Sequence, residues 1–480
     1  MRRDIPMDPR IREGLLKGLS RRSFLRGGTA AVGTAALASP FTALAQRNNK
    51  RPRLPFSPDY GPLIDTDDAR TGLPLLSLPK DFYYVSFGWT GDRLVDLSPT
   101  PGAHDGMAVV SSRRDQVILV RNHEIRDVGD GGVFSPYAPV YDPAGQGGTT
   151  NIEFDTRSGR FVRAWASLTG TITNCAGGPT PWGTWLTCEE DVRGSDSDAN
   201  LQKTHGWVFE VPALAPASAQ PIKGMGRFVH EATATDPRTN IIYLTEDTSV
   251  ATSGGTIERA SGFYRYISDV PRRPADGGRL QMLAVVGQDQ IDLSGAQFGN
   301  VYSVRWVDIA NPEDHGTGSG VFLQGFEQGG AAFQRLEGAW YGNGLIYFVS
   351  TSGGATGDGQ VWVYDPEREQ LGVFFESYGP ATADNPDNIT VSGSPRGGLL
   401  LCEDGDEGQF LIGLTPEGYA FRFCRNSVLL NGEVNDIVGD FTNSEFAGAT
   451  FDPSGRWLFV NIQTPGITFA ITGPWRRGVL

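Results

Sequence analysis

His230-Glu-Ala-Thr-Ala-Thr-Asp-Pro237 followed by Ile241-Ile-Tyr-Leu-Thr-Glu-Asp247 is the stretch on which the fold turns. A polar residue opens a run of small residues, a turn with Pro, Asn and Asp reverses the chain, and a strongly apolar strand runs into acids. Such β-branched and aromatic runs, bounded by turn residues, read as an antiparallel hairpin. The unit recurs in both directions from this copy. Toward the N-terminus stand Asn174-Cys-Ala-Gly-Gly178 with Thr184-Trp-Leu-Thr-Cys-Glu-Glu190, and Asp105-Gly-Met-Ala-Val-Val110 with Val117-Ile-Leu-Val-Arg-Asn-His-Glu124. Toward the C-terminus stand Glu337-Gly-Ala-Trp-Tyr-Gly-Asn-Gly344 with Leu345-Ile-Tyr-Phe-Val-Ser-Thr351, Asp387-Asn-Ile-Thr-Val391 with Leu399-Leu-Leu-Cys-Glu-Asp404, and Glu445-Phe-Ala-Gly-Ala-Thr450 with Trp457-Leu-Phe-Val-Asn-Ile462.

The units recur every 53 to 66 residues, apart from one gap of 104 that holds an insertion. Such a period fits propeller blades with long outer hairpins. Gly206-Trp-Val-Phe-Glu-Val211, Gly262-Phe-Tyr-Arg-Tyr-Ile267 and Gln360-Val-Trp-Val-Tyr364 lie where third strands are needed. The expected fold is therefore all-β, a six-bladed β-propeller with inserted loops. A seventh blade, drawing on residues 55–100, is the structural alternative.

Composition agrees. The 480 residues include 63 Gly and 31 Pro, with only 20% charged, which suits short strands and turns better than long helices. No Gly-X-Y period is present, and an aromatic content of 10% argues against disorder. The formal net charge is −14, but residues 1–45 hold eight basic and three acidic residues, so the remainder carries 33 against 52. A surface that acidic disfavours nucleic acid and anionic lipid and suits cations.

Ser20-Arg21-Arg22-Ser23-Phe24-Leu25 precedes a mildly apolar run, Thr29 to Leu44, and Ala43-Leu44-Ala45 has the form of a signal-peptidase site. We read residues 1–45 as a twin-arginine signal, with Arg21 and Arg22 as its defining pair, and residues 46–480 as a single propeller domain. The expected partner is the twin-arginine machinery, the expected location the periplasm or the exterior, and the expected state a monomer. No later stretch approaches the roughly 20 apolar residues of a spanning helix. Cys175, Cys188, Cys402 and Cys424 are too few and scattered for a disulfide scaffold, although an oxidising destination leaves room for one bridge. Cys188 and Cys402, inside apolar strands, are expected to be buried and inert; Cys175, opening a Gly-rich loop, is either a ligand or a packing thiol.

Three of the apolar strands end in adjacent acids: Glu189-Glu190, Glu246-Asp247 and Glu403-Asp404. Equivalent strand ends of a propeller lie around one face of the channel, so these acids should converge with the residues opening the first strands: Asp105, Cys175, Glu231, Glu337, Asp387 or Asn388, and Glu445. Convergent carboxylates repel unless cations compensate them. Carboxylates favour hard ions such as Ca2+, whereas a thiolate favours a transition metal. His123-Glu124 and His230-Glu231 read equally well as core histidines with carboxylate partners. In a strand-like segment Arg335 and Glu337 share a face, which suits a phosphate held by the Arg fork beside a metal.

Asn174-Cys-Ala-Gly-Gly178 through Glu190, Gly226-Arg-Phe-Val-His-Glu231, Arg335-Leu-Glu-Gly-Ala339, Pro386-Asp-Asn388 and Phe446-Ala-Gly-Ala-Thr-Phe451, with the twin-arginine signal, resemble the PhoX-type alkaline phosphatases. The resemblance runs over nearly the whole chain, which is shorter than well-known members. It implies a six-bladed propeller holding Fe3+ and Ca2+ in its channel and hydrolysing small phosphomonoesters. It makes Cys175 the thiolate ligand of iron, and Glu189, Glu231, Asp247 and Glu337 carboxylate ligands of the cluster. Glu190, Glu246, Asn388, Glu403 and Asp404 become either ligands or their supports. Arg335, Glu337 and Cys175 form the implied catalytic set, with Arg335 and Asn388 meeting substrate. Two rivals are a calcium-dependent propeller lactonase or arylesterase and a binding propeller whose metals only pin the channel.

Overall fold

Each of the six sequence units folds into an antiparallel hairpin. The third shows why: the turn at Pro237 places Asn240 at φ 59°, its amide bonds the Asp236 carbonyl at 2.8 Å, and the Asp236 carboxylate accepts the Arg238 amide at 2.9 Å. Asn tolerates this left-handed conformation better than most residues, so the reversal is encoded locally. The computed structural model describes residues 53–126, 132–316, 318–406 and 408–480. The proposed signal, with Arg21 and Arg22, lies outside them.

The first strands of the units are His104–Arg113, Asn174–Pro179, His230–Thr235, Leu336–Gly342, Pro386–Val391 and Phe446–Phe451. Each packs against its predecessor and successor, and the sixth packs against the first, so the six form a closed ring. Second strands lie outside them at Gln116–His123, Thr184–Glu189, Ile242–Glu246, Leu345–Ser350, Leu399–Glu403 and Trp457–Ile462. The expected third strands form at Val208–Pro212, Phe263–Ser268 and Gln360–Asp365. Residues 55–100 build no seventh unit. Leu63–Thr66 and Leu76–Pro79 extend the fifth sheet, and Tyr83–Phe87 pairs with Ile467–Thr472, so an N-terminal strand completes the last sheet.

Hydrogen bonding partitions the ring differently from six separate blades. Val301–Asp308 pairs with Gly278–Val285 on one side and Gln370–Glu376 on the other, fusing the third and fourth units into one nine-stranded sheet. This strand comes from the long insertion, which also supplies the ribbon Ala251–Ser253 with Thr256–Arg259 and the helix Gly320–Phe326. The core lies between successive units. Tyr243, Phe263, Phe348, Trp362 and Tyr364 fill one such layer, with Phe263 stacked on Phe348 at 4.2 Å. Each fully buried aromatic removes enough apolar area to contribute about 2–3 kcal/mol.

Among the described residues, no helix is long and apolar enough to cross a membrane. All four cysteines are free and buried.

Candidate metal centre

One irregularity recurs in the inner ring. The ladder between first and second strands breaks between His104 and Met107, Asn174 and Gly177, His230 and Thr233, Leu336 and Ala339, and Pro386 and Ile389. A bulge takes a residue out of the pairing and re-aims its side chain. The first residue skipped is in turn Asp105, Cys175, Glu231, Glu337 and Asp387, a metal-ligating type every time. In the sixth unit the bulge falls one step later, at Gly448 and Ala449, and the donor is Glu445, just before the strand.

The second strands supply the other half. They end on His123, Glu189, Glu246, Ser350, Glu403 and Ile462, and the next residues are Glu124, Glu190, Asp247, Thr351, Asp404 and Gln463. Ligand atoms within 4.8 Å of one another group Cys175 with Glu190 and Glu231; Asp105 with Glu124 and Glu445; Glu190 with Asp247 and Glu337; Glu231 with Glu337 and Asp387; and Asp387 with Asp404 and Glu445. Shared members link these groups into one chain of nine carboxylates and a thiol, of which Asp105, Glu124, Cys175, Glu231 and Glu337 are buried.

Of the expected ligands, Cys175, Glu190, Glu231, Asp247, Glu337 and Asp404 are brought together. Glu189, Glu246 and Glu403 are not, because each is the last strand residue and alternation turns it into the blade. Glu189 accepts the amides of Ile172, Gly206 and Trp207 at 3.0–3.1 Å and meets His205 Nδ1 at 2.6 Å. Glu246 accepts the Tyr264 hydroxyl at 2.6 Å and the Gly262 amide at 3.0 Å, and Glu403 accepts the Asp384 amide at 2.8 Å. Asn388 also departs from expectation: its Oδ1 accepts the Gly448 amide of the next unit at 2.8 Å, a bond that closes the ring. His123 and His230 are buried core histidines bonded to the carbonyls of Gly102 and Gly226, while their neighbours Glu124 and Glu231 join the group. Asp105, Asp387 and Glu445, expected to converge as strand openers though not singled out as ligands, join the group. Arg126, which donates to Glu190 Oε2 at 2.9 Å and pairs with Glu124, carried no sequence signal.

The electrostatics are those of crowded anions. Burial, then the Glu231 and Glu190 charges, push the Cys175 thiol well above its ordinary range. Burial, then Asp387 and Glu190, do the same to Glu231. Glu124 is pushed up to about 8 and Asp387 to about 7, in both cases by burial first and a neighbouring aspartate second. Two or more cations would relieve all of this, and the donors fit them: hard oxygens throughout, with one soft sulfur at Cys175.

Arg335 stands over the group at φ 40°. Its Nε and Nη2 donate to the two Asp247 oxygens at 2.9 Å each, and Nη2 also reaches Glu337 Oε1 at 2.8 Å. The shared face expected of Arg335 and Glu337 is thus present. The side chain keeps 37% of its exposure, so it is fixed by the acids yet open to solvent.

Comparison with known proteins bears on this geometry. No protein of curated function matches the chain. Two solved structures, candidate 6-phosphogluconolactonases of Bacteroides fragilis and Bacteroides uniformis, share 10% and 12% identity. They cover 80% and 81% of this chain and 83% and 81% of theirs, each with a TM-score of 0.36, too distant to carry an argument. The model of the alkaline phosphatase PhoX family matches residues 58–165 and 156–466, which span the whole ring and every donor named above. The chain belongs to the alkaline phosphatase PhoX family.

Proposed function

We propose that the protein is an exported, metal-dependent phosphatase that releases phosphate from small phosphomonoesters. The observation that carries this reading is the placement of a half-exposed Arg335 against nine carboxylates and one thiol that cannot stay together uncompensated. Asp105, Glu124, Glu190, Glu231, Asp247, Glu337, Asp387, Asp404 and Glu445 would hold hard ions, Ca2+ in the family's case, and Cys175 with Glu190 and Glu231 would hold the iron. Ions so held would neutralise charge on phosphoryl oxygens and acidify water in the channel.

The chain's own part is orientation and charge. Asp247 and Glu337 hold the guanidinium as a planar fork, and that fork matches two oxygens of a phosphoryl group. Its charge would be felt more strongly as charge gathers on those oxygens in the transition state. Burial of Asp105, Glu124, Glu231 and Glu337 would keep water from competing for the ions beside them. Arg21 and Arg22 belong to the same reading, since the twin-arginine route would deliver the protein folded.

The test is hydrolysis of p-nitrophenyl phosphate by the natively exported protein, before and after chelation and dialysis. Activity should vanish on chelation and return with calcium, and elemental analysis should find iron. Undiminished activity without metal, or hydrolysis of lactones in place of phosphate esters, would overturn the reading.

A further inference from the structure

Arg126 and Arg335 come from different sides of the ring. Arg126 lies three residues beyond the strand Gln116–His123 of the first unit; Arg335 immediately precedes Leu336–Gly342 of the fourth. In a closed ring of six, the first and fourth units stand opposite one another. Arg126 bridges two donor groups on its own wall, bonding Glu190 at 2.9 Å and pairing with Glu124. Both bonds use Nη2, and its other guanidinium nitrogens make none among the described residues. Its side chain is 59% exposed against 37% for Arg335, so it is the more open of the two to a solvent-borne anion. Glu190, which Arg126 bonds, has a ligand atom within 4.8 Å of those of Asp247 and Glu337, which Arg335 bonds, so both guanidiniums border one ligand group.

We propose that Arg126 is a second anion contact on the wall opposite Arg335, selecting phosphomonoesters whose organic part carries a further negative charge. The inference rests on the phosphatase reading. A phosphoryl group gripped by Arg335 must project its organic part away from that wall, and the more exposed cation is the group it meets. In a chain of net charge −14, a second anion on the substrate would otherwise be repelled.

The experiment compares 2-phosphoglycolate with ethyl phosphate, near-isosteres that differ by a carboxylate, in wild type, Arg126→Ala and Arg126→Lys. The kcat/KM ratio of the two should favour phosphoglycolate in wild type and fall about fivefold in Arg126→Ala, the scale of one half-exposed ion pair, whatever loss both substrates share. Arg126→Lys should restore most of the ratio. Wild type supplies a second measurement: added salt should weaken phosphoglycolate relative to ethyl phosphate, whereas an unaided acidic mouth predicts the reverse. A ratio unchanged by Arg126→Ala, or a salt effect of the reverse sign, would overturn the proposal. If wild type hydrolyses neither these compounds nor p-nitrophenyl phosphate, the phosphatase reading fails, and the same ratio read from calorimetric binding judges Arg126 separately.

Discussion

Glu189 and Glu190 are neighbours with opposite duties. Glu189 satisfies three buried amides and a buried His205; burial lowers that imidazole's pKa, but Glu189 and Asp142 outweigh it, so the net shift is upward. Replacing a carboxylate that serves several buried donors costs the desolvation of the groups left behind. Glu189→Gln should therefore destabilise the metal-free protein by about 2–4 kcal/mol. Glu190 is one of several repelling anions, so Glu190→Gln should leave the metal-free protein equally or more stable while lowering the ions retained per chain. Denaturant titration after chelation, paired with elemental analysis of the untreated proteins, checks both. Glu189→Gln losing ions without losing stability would count against this division of labour.

At the scale of elements, the ring is fastened at three of its joints by the residue before the end of the second strand. Asn122 of the first unit donates to the carbonyls of Cys175 and Ala176 in the second at 3.1 and 2.7 Å. Thr245 of the third donates to Glu337 of the fourth at 2.7 Å, and Asn461 of the sixth to Asp105 of the first at 2.7 Å. Each clasp seizes the backbone of a bulge residue, so the contact that closes the ring also sets a ligand's position. Space is tight beside the bulges: a Cβ on Gly106 would stand 2.5 Å from Ala176 Cα, and one on Gly448 2.5 Å from the Met107 amide nitrogen. Asn122→Asp keeps the shape but turns two donors into a buried anion facing carbonyls. It should destabilise by about 2–4 kcal/mol and loosen metal retention at Cys175, read by unfolding midpoint and iron content. Unchanged iron content would show that the clasp does not position the thiol.

Over the whole molecule, the buried acids tie stability to pH and to metal. Glu124 rises from 4.5 to about 8 and Asp387 from 3.8 to about 7. A carboxyl with a raised folded-state pKa contributes stability that is complete below its unfolded value and lost as pH rises through the folded one. The chelated protein should therefore lose thermal stability progressively between about pH 4 and pH 8. Saturating calcium should flatten that slope, because ions replace protons as the compensating charge. Equal slopes with and without calcium, measured by thermal unfolding at pH 5 and pH 8, would refute this view of the channel.

The six hairpins, their turns and the kinds of donor they carry were legible in the amino-acid order, because a strand's apolar run and a turn's Asn or Pro act locally. So was the pairing of Arg335 with Glu337, two residues apart. Alternation says only that Glu189 and Glu190, or Glu246 and Asp247, face opposite ways. Which of them faces the channel depends on where each strand stops, and that is set by the partner across the ladder. The bulges that aim Asp105, Cys175 and Glu337 inward, and the clasps that hold them, exist only once the ring closes. Asn388 and Arg126 were decided the same way, by neighbours about 60 residues away along the chain. Fusion of the third and fourth units by Val301–Asp308 likewise required two sheet edges brought side by side. Periodicity, then, determined the architecture and its chemistry in kind; closure of the ring alone decided which side chains share the site.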